Sequence, residues 1–254
     1  MNEQGRVSTE IKNSIAFITF YHPQSNSMPG TLLRELANAI TKAGENENAK
    51  VIVLQSEGEK TFCAGASFDE LVTIHDFETG HYFFSGFASV INAMRKVPKF
   101  VIARVQGKAV GGGVGIAAAA DYTIAHESAS VKLSELAVGI GPFVVGPVVE
   151  RKIGKAAFMS LTINATAWKD AGWAMNNGLY AEVCSTHEEL DKALLALSDR
   201  LAKSNPDAMM FLKKIFWEGT EHWDALLSER AAMSGKLVLS DFTKKAIEKF
   251  KSKG

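Results

Sequence analysis

Val105-Gln106-Gly107-Lys108-Ala109-Val110-Gly111-Gly112-Gly113-Val114-Gly115 decides how the rest of this chain is read. An apolar strand, Phe100 to Val105, runs into glycines, and the glycines run into an alanine-rich helical segment through Ala117 to Ala120. Glycine adopts backbone conformations denied to other residues and lets a ligand come close to the main chain. Where such a loop enters a helix, the unpaired N–H groups of the first turn point toward anything anionic in front of them. The isolated triplet Gly111 to Gly113 reads as well as room for a helix to pack closely on a sheet. It does not read as a nucleotide P-loop, because no Lys-Ser or Lys-Thr closes the run, and G-x-G-x-x-G is not its natural spacing.

A second small-residue loop lies upstream, Thr61-Phe62-Cys63-Ala64-Gly65-Ala66-Ser67-Phe68-Asp69. Two such loops after two different strands suggest two amides converging on one oxygen. A thioester carbonyl becoming an enolate is a fitting target, since fixed donors bind the developing charge without reorganising. Losing one such donor typically costs roughly 3 kcal/mol of transition-state stabilisation.

Outward from these loops, strands are expected at Ser14 to Tyr21, Lys50 to Gln55, Phe100 to Val105 and Tyr122 to Ala125. Val51 to Leu54 reads as buried on both faces. Helices are expected at Thr31 to Ala43, with Leu32, Leu33, Leu36 and Ile40 at helical spacing, and at Glu78 to Arg95. Strand–helix–strand alternation of this kind favours an α/β architecture with helices covering a mostly parallel sheet. After about Pro142 the segments read as helical, except for a short strand at Tyr180 to Cys184. The division expected is a core over 1–195 and a helical C-terminal region over 196–254.

The chain has 254 residues, 46% of them hydrophobic and 22% charged, which suits a packed globular protein. Lys+Arg and Asp+Glu balance at 28 each, so no net field draws it toward nucleic acid or acidic lipid. Two distant cysteines, Cys63 and Cys184, argue against a disulfide scaffold and fit a reducing compartment. No apolar run is long enough to span a bilayer, and the polar start Met1 to Arg6 has no signal core, so the expected location is cytoplasmic. The six histidines show no metal-type spacing, so no metal is expected.

Taken in order, three segments resemble the crotonase (enoyl-CoA hydratase/isomerase) superfamily over nearly the whole chain. Phe62 to Leu71 resembles its F-x-A-G-A-D-hydrophobic segment. Gln106 to Asp121 resembles its N-G-x-A-x-G-G-G segment and the helix ending in Asp. Glu135 to Gly154 resembles the stretch closing in a basic-flanked Ile-Gly. The resemblance implies a spiral of ββα units with a helical C-terminal region that mediates assembly as a homotrimer or hexamer. It implies an acyl-CoA substrate, no cofactor beyond that CoA moiety, and a thioester oxygen held by the amides of Ala66 and Gly112. Ala64, Gly65, Ser67, Phe68, Asp69 and Gly111 are the implied substrate-binding positions; Ser67 stands where the family commonly has Asp.

The acid/base residues depart from the hydratase pattern. Family hydratases carry two glutamates; the first position is Gly115 here, and the second is kept as Glu135. Water addition is helped by two carboxylates, whereas one base suffices to move a proton from C2 to C4 of an enoyl thioester. The expected activity is therefore a double-bond shift by Glu135. Hydration or decarboxylation of an unusual acyl-CoA, and a non-catalytic acyl-CoA-binding subunit, are the alternatives. If Glu135 is buried among Leu133, Leu136, Phe143, Val144 and Val145, desolvation favours its neutral form; the bland alternative is a surface glutamate at the start of a helix begun by Ser134.

Cys63 beside the proposed amides reads as a small buried hydrophobe, with no histidine partner near in sequence. The basic amphipathic stretch Asp241 to Lys251 reads as a solvated helix face, as do Lys213 and Lys214; the family resemblance implies the narrower reading that these lysines approach the CoA phosphates or adenine. Phe77, Phe83, Phe84 and Phe87 read as a packed helix face before an acyl pocket.

Overall fold

β-branched and aromatic runs alternating with amphipathic segments build successive turns of one unit: a strand of a large sheet, a short strand of a minor sheet, then a helix. The computed structural model describes residues 5–251. Residues 1–4 of the polar start and the side chains of 250 and 251 lie outside the description. In chain order the elements are β1 (Arg6–Lys12), β2 (Ile15–Tyr21), β3 (Ser27–Met28), α1 (Gly30–Glu45), β4 (Val51–Ser56), β5 (Thr61–Cys63) and β6 (Gly65–Ala66). Then come α2 (Phe68–Leu71), α3 (Phe77–Lys96), β7 (Val101–Val105), β8 (Lys108–Val110), α4 (Gly112–Ala119), β9 (Tyr122–His126) and β10 (Val131–Lys132). A 3-10 turn at Glu135–Val138 leads to α5 (Gly146–Ile163), α6 (Ala171–Asn176), β11 (Glu182–Cys184), α7 (His187–Ala202), α8 (Pro206–Phe216), α9 (Trp223–Leu237) and α10 (Asp241–Lys251).

The large sheet has the order β1-β2-β4-β7-β9-β11 and is parallel except for the β1–β2 hairpin. The minor sheets, β10-β8-β5 and β3-β6, are parallel. Both faces of the large sheet are covered. Ile52 and Leu54 join the main core under the helices, while Val51 and Val53 pack with Leu190 and Leu194 of α7 on the opposite face. This alternation confirms the two-sided burial read from Val51 to Leu54. On α1, Leu32, Leu33, Leu36 and Ile40 are buried, as their spacing requires.

Two features differ from the expectation. β1 was not anticipated because RVSTEIK is largely exposed and polar; its pairing with β2, rather than burial, makes it a strand. The division expected at 195/196 falls inside α7, a continuous helix packed on the sheet. α9, in the C-terminal region, reaches the main core. α9 crosses α3 at a glycine pair, where a Cβ on Gly80 would stand 2.9 Å from Gly235 O, and Trp223, Leu227 and Ala231 enter the main core.

Candidate active site

The two small-residue loops meet. Gly65 has φ of 85°, a left-handed conformation natural to glycine, and a Cβ there would lie 2.8 Å from Val110 O and 3.4 Å from Gly112 N. In the parallel pairing of β3 with β6, Met28 O accepts the Ser67 N–H at 3.2 Å, so the N–H of Ala66, the residue opposite Met28, faces away from β3. Gly112 opens α4, where the first N–H groups have no partner in their own helix. A cavity of about 310 Å³ is lined by both loops.

Glu135 lines the same cavity. Ser134 does not cap the short turn that follows it, and the surface-glutamate alternative does not hold. The residue is half-buried, but its Oε2 is covered and has no hydrogen-bond partner. Burial pushes the carboxyl up to about 7, against a smaller opposing effect from its own backbone N–H. The remaining lining is mainly apolar: Phe68 and Leu71 from one side, Phe84 and Phe87 from α3, and the run Ile140 to Val145.

Gly115 is packed, not vacant. A Cβ added there would overlap the side chain of Val145, so the space of a first carboxylate is occupied by a valine. Packing explains the other glycines too: a Cβ at Gly112 would collide with the Phe87 ring, and one at Gly113 would stand 2.5 Å from Cys63 O. The close-packing reading of the triplet therefore holds alongside its place on the cavity.

Of the positions singled out in the sequence, Ala64, Gly65, Ala66, Phe68, Gly111, Gly112 and Glu135 are brought together around the cavity. Ser67 and Asp69 stand outside its lining. Ser67 is buried and accepts the Glu70 N–H as cap of α2, and the Asp69 carboxylate accepts from the Gln24 amide. Phe83 packs the core as expected; Phe84 and Phe87 serve both core and cavity, and Phe77 is 47% exposed. Lys132, Ser134, Trp168 and Ser234 also line the cavity and were not anticipated. Strand alternation around Glu135 could have flagged Lys132; nothing local to Ser234 marks it, since only the α9–α3 packing brings it there.

Lys213 is not a free cation. It is buried, its Nζ 2.5 Å from Asp121 Oδ2, while Trp217 Nε1 donates to Asp121 Oδ1 at 3.0 Å. Lys214, Lys244, Lys245 and Lys249 are exposed. α10 packs by Phe242 and Thr243 over Gly139, at the end of the turn that carries Glu135. Burial pushes the Cys63 thiol up to about 12, which suits an inert packing role. No group of three or more potential metal ligands occurs among the described residues, and none of their helices is long and apolar enough to cross a membrane.

Residues 10–254 match the model of the enoyl-CoA hydratase/isomerase family. A probable enoyl-CoA hydratase of Rhizobium meliloti (strain 1021) is 33% identical over 205 residues, 79% of this chain and 77% of the relative. The mitochondrial methylglutaconyl-CoA hydratase of Rattus norvegicus is 32% identical over 200 residues, 77% of this chain and 63% of its own length. Among solved structures, the enoyl-CoA hydratase from Bacillus halodurans superposes with a TM-score of 0.88 at 23% identity, covering 96% of this chain and 99% of that one. This likeness shows the crotonase fold.

Proposed function

The chain belongs to the enoyl-CoA hydratase/isomerase family, and from that premise we propose that it shifts the double bond of an enoyl-CoA through Glu135 alone. The observation that supports this reading is that Glu135, with its Oε2 covered, is the one carboxylate among the described residues lining the cavity shared with Ala66 and Gly112, while Val145 fills the space beside Gly115. In a 3-enoyl thioester, ionised Glu135 takes a proton from C2. The electrons pass through the C2–C1 bond to the thioester oxygen, which becomes an enolate held by the two N–H donors. The same carboxyl then returns the proton to C4 as the double bond moves to C2–C3 and the carbonyl re-forms. No water and no cofactor beyond the substrate's CoA enter the balance. A raised carboxyl pKa near neutrality suits a group that must both accept and donate.

A second reading, hydration, is favoured by the names of the relatives and by one feature of the cavity. Ser234 is buried on α9, lines the cavity, and its hydroxyl has no partner among the described residues. Such a hydroxyl can hold a water in the cavity that Glu135 also lines. Assembly as a trimer or hexamer fits the exposed apolar side chains of α8, with Phe211 at 60%, Ile215 at 54% and Phe216 at 52% exposure. A cytoplasmic location fits the free, buried Cys63 and Cys184.

The test offers 3-enoyl-CoA and 2-enoyl-CoA esters of several lengths to the purified protein in deuterated water. Conversion of 3-enoyl to 2-enoyl ester, lost in Glu135→Gln and without water addition, supports the one-base isomerase. Efficient hydration transfers the reaction to the second reading, and turnover unchanged in Glu135→Gln overturns both.

A further inference from the structure

Among the described residues lining the mainly apolar cavity, Lys132 is the one cation. Its ammonium stands 4.4 Å from the centre of the Trp168 ring, and the ammonium of Lys108, on neighbouring β8, stands 5.3 Å from the same centre. Neither lysine pairs with a carboxylate among the described residues. Partial burial, with the Lys108 charge adding to it, holds the Lys132 ammonium below the usual lysine range. Two like charges on one aromatic ring, with no ion-pair partner among the described residues, are stabilised by an added anion. Leu133 is fully buried, and the alternation of extended chain turns Lys132 and Ser134 to the cavity side. The Ser134 hydroxyl caps nothing and is available as a donor.

Resting on the acyl-thioester reading above, we propose that Lys132, Lys108 and Ser134 form an anion subsite that takes a carboxylate carried on the acyl chain of the substrate. Proximity to the reacting carbonyl decides between a carboxylate there and a phosphate of CoA. Lys132 O accepts the Gly111 N–H at 2.8 Å, so the lysine springs from backbone beside the Gly112 amide. Lys132 and Trp168 line the same cavity as Ala66 and Gly112, so an anion on the acyl chain within that cavity is a few bonds from the thioester carbonyl, whereas the CoA phosphates stand at the far end of the pantetheine arm. Trp168, 42% exposed, lines the cavity and holds Lys132 and the exposed Lys108 on its ring.

The experiment compares glutaryl-CoA with pentanoyl-CoA, equal in chain length and different in the terminal carboxylate, by titration calorimetry on the full chain. The wild type binds glutaryl-CoA about tenfold or more tightly, the size of one hydrogen bond to a charged group. Lys132→Met brings the ratio of the two affinities close to one, Lys132→Arg retains it, and Lys108→Met lowers it. A wild-type ratio near one overturns the subsite. So does a Lys132→Met variant that weakens both esters equally, which assigns the lysine to a CoA phosphate. If neither ester binds while the protein is folded, the acyl-thioester reading fails first, and the subsite falls with it.

Discussion

The carboxylate of Glu135 lies against the α-carbon of Gly111: a Cβ at that position would stand 2.9 Å from Oε1 and 3.3 Å from Cδ. Gly111 also has φ of 53°, which an L side chain rarely adopts, and its carbonyl oxygen accepts the N–H groups of Val114 and Gly115 as α4 begins. One residue without a side chain thus starts the helix whose first residue lines the cavity and makes room for the proposed base.

Gly111→Ala is expected to displace Glu135 while leaving most of the core intact. Double-bond shift should fall about 100-fold, the cost of moving a reacting group by about an ångström. Stability should drop by roughly 1–2 kcal/mol from the strained φ. Steady-state kinetics beside urea unfolding measure both; near-wild-type turnover would show that the carboxylate does not depend on that contact.

Because Glu135 must be ionised to accept the C2 proton, kcat/KM should rise with pH and level off above about 7. The stability effect has the opposite sign. The folded pKa lies above the unfolded value of 4.5, so between these limits the native state binds more protons, and stability falls as pH rises. Glu135→Gln should flatten this dependence and be the more stable protein at pH 8, by about 3 kcal/mol at most. A wild-type unfolding free energy that follows the variant's across pH 5–8 would contradict the buried carboxyl.

Restoring a glutamate at Gly115 is expected to fail alone. The new side chain meets Val145, and overpacking of this kind costs about 1–3 kcal/mol. Gly115→Glu combined with Val145→Gly opens the space, and water addition to a 2-enoyl-CoA should appear or increase in the double variant only. Hydration equal to wild type in the relieved protein would remove the second carboxylate as the determinant.

Asp121 holds α8 to the sheet, receiving Lys213 Nζ, Trp217 Nε1 and, at 2.8 Å, the Val101 N–H. Asp121→Ala leaves a buried ammonium unpaired and two donors unsatisfied, which should destabilise by about 3–5 kcal/mol. Asp121→Ala with Lys213→Met should recover a large part of that loss in thermal or urea unfolding. Equal loss in both variants would place the effect in packing rather than charge.

The chain's own order of residues determined the class of fold, the family and the two loops. Val51 to Leu54, the α1 spacing and the run from Val105 to Gly115 are local patterns whose physics, period-2 or period-3.6 burial and glycine's torsional freedom, is complete within a few residues. Glu135 could be named because the aligned segment carries it. Its burial could not, since desolvation depends on what Phe68, Leu71 and the α3 rings of Phe84 and Phe87 bring from elsewhere. Tertiary structure alone decided that Val145 fills the space at Gly115, that Lys213 is consumed by Asp121, and that Lys132 and Lys108 share Trp168. Each of these joins residues from elements separated in sequence, and burial, pairing and steric exclusion are properties of the assembled neighbourhood rather than of any one segment.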